Sequence, residues 1–427
     1  MNVLIQKALI LDPQQQGGAQ QLDILVEDGI IRRLGENLSP DGAQTISSPN
    51  LMVSPGWVDI GVWNGDPGLE HREDLESLRL AGAKGGYTHL AVWPNSDPVV
   101  ASKAEVAYLT QANGTSPVDI HPIGAISLGC AGKTITEMID MQRAGALAFS
   151  DGIRPVQSSG LMLRALQYVR YFDGVVINQP LDYSMSPLGQ MHEGPMSTSL
   201  GLTGIPSLAE EVMVNRDIQL ARYTNSRLHL ANLSTAGAVD LVRAAKREGV
   251  QVTASVAMLN LFMDDSALAS FDTHVKVMPP LRSLEDQKAL WQGLMDGTID
   301  MISTNHVPVE IEHKQLEFPY AEFGAIGLET AFGLYGKRAP SEDTNRSTLR
   351  NWVNWVSMAP RNLLRLPVPQ IREGQPADLT AFDPDLNWTV SEQGGASKSN
   401  NSPLIGQQLK GRVLGVCHNG QIVDSKG

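Results

Sequence analysis

Hydrolysis at a metal centre needs histidines, cysteines or carboxylates that converge in pairs. The 427-residue sequence has nine histidines and two cysteines, yet no HxH, HExxH or CxxC pair. Only His229, in "HLANLS", and His306, in "STNHVPV", fall where a strand-like run ends; His71, His89, His121, His192, His274, His313 and His418 are scattered. The other run ends carry Gly61 and Trp63, Asn95 in "WPNSDP", Asn178 and Gln179, Asn232, the largely apolar Met258, Leu259 and Asn260, and Asn305. Amides form hydrogen bonds but are poor ligands for a divalent ion. From the residues alone, a metal site and a cofactor are not expected. His306 reads as a structural histidine bonded to a neighbouring strand, and His229 as a satisfied interior one. Asp151, in "FSDG", could serve as a lone base, but a carboxylate before glycine more often caps a turn. Asp59 lies inside the apolar run "WVDIGV" and, if buried, needs partners. No Ser/His/Asp or Cys/His arrangement can be assembled, and no Gly-rich phosphate loop is present.

The elements that must position these residues follow from hydrophobic periodicity. From about Leu51, the runs "WVDIGV", "YTHLAVWP", "VDIHPIGAI", "ALAFS", "VVINQP", "RLHLANLS", "VQVTASVA" and "TIDMISTNH" alternate with segments such as "LAEEVMVNRDIQLARYT" and "AGAVDLVRAAKREG". Those segments place apolar residues three and four apart, so the pattern predicts eight strands alternating with helices. That is the signature of a (β/α)8 TIM barrel over residues 53–367. "WVNWVSMAPRNLLRL" reads as a terminal helix. Residues 1–52 and 368–427 alternate like antiparallel strands and are expected to pair in a separate small β domain. "SEQGGASKSNNSP" reads as an exposed loop.

Composition narrows the function class. A net charge of −13 argues against a nucleic-acid partner, since phosphate binding needs a basic surface. Two distant cysteines exclude a disulfide framework and suit a reducing compartment. No run of about twenty apolar residues occurs and the N-terminus does not read as a signal peptide, so a cytoplasmic chain without a membrane partner is expected.

The stretch "SPGWVDIGVWNGDPGLEHREDLESLRLAGAKGGYTHLAVWPNSDPV" resembles the opening of a dihydroorotase, an enzyme of the amidohydrolase superfamily. The family pattern is "PGxxDxHxHLREPG" followed by "AAxxGGxTxxxxMPNTxP". The resemblance continues through "GALAFSDG", "GPMSTSLGLTGIP", "KVMPPLR", "GTIDMISTNHVP" and "GQPADLTAFDP", and so spans nearly the whole chain. It implies an amidohydrolase barrel, and it also shows which positions depart from the family. The two histidines of HxH fall on Gly61 and Trp63, and the substrate-binding arginine on Gly65. The bridging acidic ligand falls on Gly152, beside the surviving Asp151, and the other two metal histidines fall on Gln179 and Asn232. The catalytic aspartate falls on Asn305, a substrate-contacting asparagine on Met278, and the histidine of the last loop on Val309. Asn95 is retained at a substrate-contact position, and Trp63 is placed to fill the space the metals leave.

These departures imply a chain that is not an enzyme. The resemblance is closest to the inactive dihydroorotase-like chains that assemble with bacterial aspartate transcarbamoylase, often as six chains of each kind. A non-catalytic structural subunit in pyrimidine biosynthesis is the expectation. Two alternatives stand beside it. One is a metal-free amidohydrolase-like enzyme using Asp151, His229 or His306; the other is a binding module sensing a pyrimidine through Asn95.

Overall fold

In the computed structural model, residues 2–14, 20–40, 42–338 and 347–425 are described. Five strands come first: β1 (Asn2–Ile10), β2 (Gln21–Glu27), β3 (Ile30–Gly35), β4 (Gln44–Ile46) and β5 (Met52–Pro55). The barrel strands follow as β6 (Trp57–Val62), β7 (Tyr87–Val92), β8 (Asp119–Gly124), β9 (Ala148–Phe149) and β10 (Val175–Asn178). A two-stranded ribbon, β11 (Met191–His192) and β12 (Gly204–Ile205), interrupts them before β13 (Arg227–Leu230), β14 (Val252–Ala257) and β15 (Met301–Ser303). The chain ends with β16 (Leu379–Thr389), β17 (Gln408–His418) and β18 (Gln421–Asp424).

The eight strands β6–β10 and β13–β15 pair in parallel, in chain order around a nearly closed barrel. They are short, and most of their residues are buried, as expected for a parallel sheet covered by helices. The seam between β6 and β15 is closed by side chains and loop backbone. Asp59 on β6 accepts from the Thr304 amide at 3.1 Å and from the Thr304 hydroxyl, and the Trp63 amide donates to the His306 carbonyl at 2.9 Å. Burial pushes the Asp59 carboxyl up to about 6 despite these bonds. The buried carboxylate of the first strand run therefore serves as a staple across the seam.

The terminal segments form one sheet in the order β18-β17-β16-β5-β1-β2-β3, with β4 added alongside β1. The join is β16 against β5, antiparallel, with Leu379 opposite Pro55 and Phe382 opposite Met52. Val3, Ile5, Ile24, Val26, Leu379 and Leu414 form its core. The expected terminal helix is broken into Ser347–Val353, a π-helical turn Asn354–Met358 and Ala359–Leu364. Within the turn, Ser357 donates to the Gly56 carbonyl at 2.7 Å, tying the wide turn to the entrance of β6. The segment "SEQGGASKSNNSP" differs in part from expectation, because Ser397, Ser399, Asn401 and Ser402 are buried. Ser397 donates to Glu73, and Asn401 bridges the Val307 carbonyl (2.9 Å) and the Val309 amide (3.1 Å).

Candidate functional site

At the C-terminal ends of the barrel strands the positions aligned with the family motif lie close together, and most of them are committed to packing or to a neighbour. Gly61 ends β6 at a φ of +84°, and a Cβ there would lie 2.5 Å from the indole of Trp93. Trp93 is 1% exposed and packs with Ile60, Ile123, Ile177 and Met301 in the barrel interior. The space taken by a histidine in the family pattern is thus held by a tryptophan of the next strand. Trp63 is also buried, with the Arg72 guanidinium 6.0 Å from its ring centre. Gly65 sits against the carbonyls of Leu69 and Glu73, with no room for a side chain.

Gly152, at a φ of +62°, packs against the Asn95 amide, which a Cβ would strike. Asn95 donates to the Asp151 carbonyl at 3.1 Å and accepts from the Ile153 amide at 3.0 Å. Its amide is fully engaged in shaping that turn. Asp151 accepts from the amide of Ser127 at 2.8 Å and from its hydroxyl, and burial raises its carboxyl. Both oxygens hold the third strand's loop to the fourth's, a long-range link where a local turn cap was the expectation.

Asn232 and Asn305 form a relay of amides. The Ser303 hydroxyl donates to Asn232 Oδ1 at 2.6 Å, Asn232 Nδ2 donates to Asn305 Oδ1 at 3.2 Å, and Asn305 Nδ2 donates to the Met278 carbonyl at 3.0 Å. Val309 is buried, its amide on Asn401. His306 lies 3.4 Å from Glu73 and accepts from the Gly327 amide at 3.2 Å. His229 is fully buried between Thr253 Oγ1 (2.9 Å) and Ser255 Oγ (3.1 Å), and burial pushes its ring down to about 3. Gln179 and Met278 line the residual cavity with Ile153, Tyr183, Glu210 and Arg282. That cavity is about 10 Å³, the room of a single water at most.

A pair of divalent ions at this mouth would need anionic or imidazole donors, and the residues present do not supply them. Glycines stand where ligands would start, with Trp93 and Asn95 already occupying the space. Sequence reasoning located the empty positions through the family motif. It missed Trp93, which reads as an ordinary strand-end aromatic.

The fold and this mouth define an amidohydrolase barrel. The Dihydro-orotase-like family matches residues 50–238 and the Amidohydrolase family residues 190–423. A dihydroorotase from Pelotomaculum thermopropionicum is 42% identical over 423 residues, covering 99% of this chain and 98% of that protein. One from Syntrophotalea carbinolica is 39% identical, covering 99% of each. Among solved structures, an L-hydantoinase from Arthrobacter aurescens superposes with a TM-score of 0.83 at 23% identity, covering 100% of this chain and 96% of that one. A D-hydantoinase gives 0.80 at 22%, covering 99% and 95%. The chain belongs to the dihydroorotase-like amidohydrolase family. This corrects one expectation. Relatives about 40% identical along the whole chain bear the name of a hydrolase, so the inference from missing motif residues to "not an enzyme" is overturned, and the relatives point to a hydrolytic enzyme. Among the described residues, no helix is long and apolar enough to cross a membrane.

Proposed function

We propose that this chain acts in cytoplasmic pyrimidine synthesis as a dihydroorotase-like subunit that assembles with aspartate transcarbamoylase catalytic chains. One observation carries the reading. The barrel, its Asp59 seam and its loop anchors are intact, while the polar groups of the mouth are spent on holding the loops in place. A rigid, pre-shaped loop face is what a stable assembly surface requires, because little ordering entropy is then lost on association.

A second reading rests on the relatives' shared name: hydrolysis of a cyclic amide such as dihydroorotate. Here it would proceed without the metal pair. Two carboxylates at the mouth, Asp151 and Glu210, are both buried and hydrogen-bonded to serines. The loops around Tyr183 and Met278 would have to part, since a cavity of about 10 Å³ admits no ring.

Co-expression and size-exclusion chromatography with the transcarbamoylase chain test the first reading. Co-elution as one large complex, lost when either chain is omitted, is the expected result. Separate elution, with the transcarbamoylase unchanged in size and activity, would sink it. Dihydroorotate turnover, assayed in chelator and in zinc, tests the second reading independently. Turnover that persists in chelator supports it, and no turnover under either condition removes it.

A further inference from the structure

A second cluster of ionisable groups lies at the opposite end of the barrel, where the small β domain packs on it. His89 on β7, Asp378 just before β16 and His418 at the end of β17 each offer one ligand atom, all within 4.8 Å of one another. Among the described residues, this is the one group of three such side chains placed closely enough to hold an ion. His89 Nε2 lies 3.2 Å from Asp378 Oδ2, and His418 Nδ1 lies 3.7 Å from Asp378 Oδ1. A tetrahedral zinc with bonds near 2.0–2.1 Å keeps its donors roughly 3.3 Å apart, so small ring movements would close the site.

The surroundings of the three groups match those of metal ligands. A ligating imidazole ordinarily uses its second nitrogen on an acceptor or a polar neighbour, which fixes the ring. Both rings do this: His89 Nδ1 lies 3.0 Å from His121 Nε2, and His418 Nε2 lies 3.3 Å from Asp119 Oδ2. Asp378 is oriented by the Thr88 hydroxyl at 2.7 Å and by Arg361 Nη2 at 2.7 Å.

Hydrogen bonding and charge give a separate argument. Both nitrogens of His418 face carboxylate oxygens, Asp119 Oδ2 at 3.3 Å and Asp378 Oδ1 at 3.7 Å, so a cation beside this ring would have carboxylate oxygens at hand. Asp378 is paired with the Arg361 guanidinium, and the Arg79 guanidinium lies in the field of Asp119. His89, Asp378 and His418 are all buried, so an ion held between them would be shielded from solvent.

We propose that His89, His418 and Asp378 bind a divalent transition-metal ion, zinc by donor type, as a structural clamp between the barrel and the small β domain. The site is independent of the mouth and of any reaction there.

The test is zinc content by mass spectrometry on the full-length chain, stripped with chelator, reloaded with zinc and desalted. One zinc per chain is expected, retained in the mouth variant Asn305→Ala and lost in His418→Gln. Asp119→Asn keeps all three ligands and removes only a partner of one, and should weaken zinc binding 10- to 100-fold. That variant keeps the test decisive if His418→Gln does not fold. Cobalt substitution should give visible absorption bands that vanish in His89→Gln. Absence of zinc from a folded, reloaded parent would overturn the proposal. Zinc retained with unchanged affinity in His418→Gln and Asp119→Asn would overturn it too.

Discussion

The two ends of the barrel use opposite chemistry. At the mouth, where this fold ordinarily places its reacting groups, amides and two tryptophans take much of the space, and the carboxylates Asp151 and Glu210 are spent on serines of neighbouring loops. At the floor, where conservation of structure is the usual demand, three histidines, two carboxylates and a guanidinium share one buried network. A TIM barrel thus separates the residues that keep it folded from those that give it a reaction. One set can be replaced while the other persists.

Three variants would break or sharpen that contrast. The largest effect is expected at the floor. Asp378→Asn leaves the buried Arg361 guanidinium without its counter-charge, and removing one partner of such a pair costs about 3–5 kcal/mol. A fall in urea midpoint of that size, or loss of soluble protein, is the expected outcome; an unchanged midpoint would show that the floor network contributes little. At the mouth, Trp93→Ala removes the plug against Gly61 and should cost about 3 kcal/mol, the lower end for a buried aromatic. If its midpoint does not move, the plug is loose and the mouth is more open than a cavity of about 10 Å³ implies.

The smallest effect concerns pH. The His229 ring is held well below its ordinary range by burial, down to about 3. The unfolded chain therefore takes up this proton first as pH falls. Its contribution to stability is complete above about 6.5 and is lost as pH drops toward 3, at about 1.4 kcal/mol per pH unit. His229→Gln should be less stable than the parent at pH 8 by about 1 kcal/mol, through a hydrogen bond less well made. The gap should narrow and then reverse by pH 5 in urea titrations. Asp59, whose carboxyl is raised, tilts the profile the other way between about 4 and 6, but it is common to both proteins and cancels in the difference.

Much of the mouth was legible in the sequence, because the family motif is local. "VDIGVWNGDPG" and "STNHVPV" each carry several positions of the family motif within a few residues, so departures from that motif are visible one segment at a time. The barrel strands were legible for a similar reason: short apolar runs recur between amphipathic helices. The floor was not legible. His89, His121 and His418 look scattered because what unites them is register. Parallel pairing sets His89 beside Asp119 and Ala91 beside His121, and β17 delivers His418 from some three hundred residues away. Trp93 escaped for a different reason, since its role depends on the absence of a side chain at Gly61, one strand over. Nor could missing motif residues decide by themselves whether the chain is an enzyme, as the relatives' names make plain.

The pairing of β5 with β16 has a consequence for how the chain is made. The first five strands leave the ribosome more than three hundred residues before the strand that completes their sheet. Throughout that interval the edge of β5 has no β16 to pair with, and an unpaired edge is a template for wrong partners. The barrel must therefore fold while tethered to an unfinished sheet, and only when β16 and β17 arrive are both the sheet and the histidine floor completed. Truncation near residue 370 would then leave a barrel carrying an adhesive N-terminal edge, a species for chaperones to hold rather than a smaller working protein.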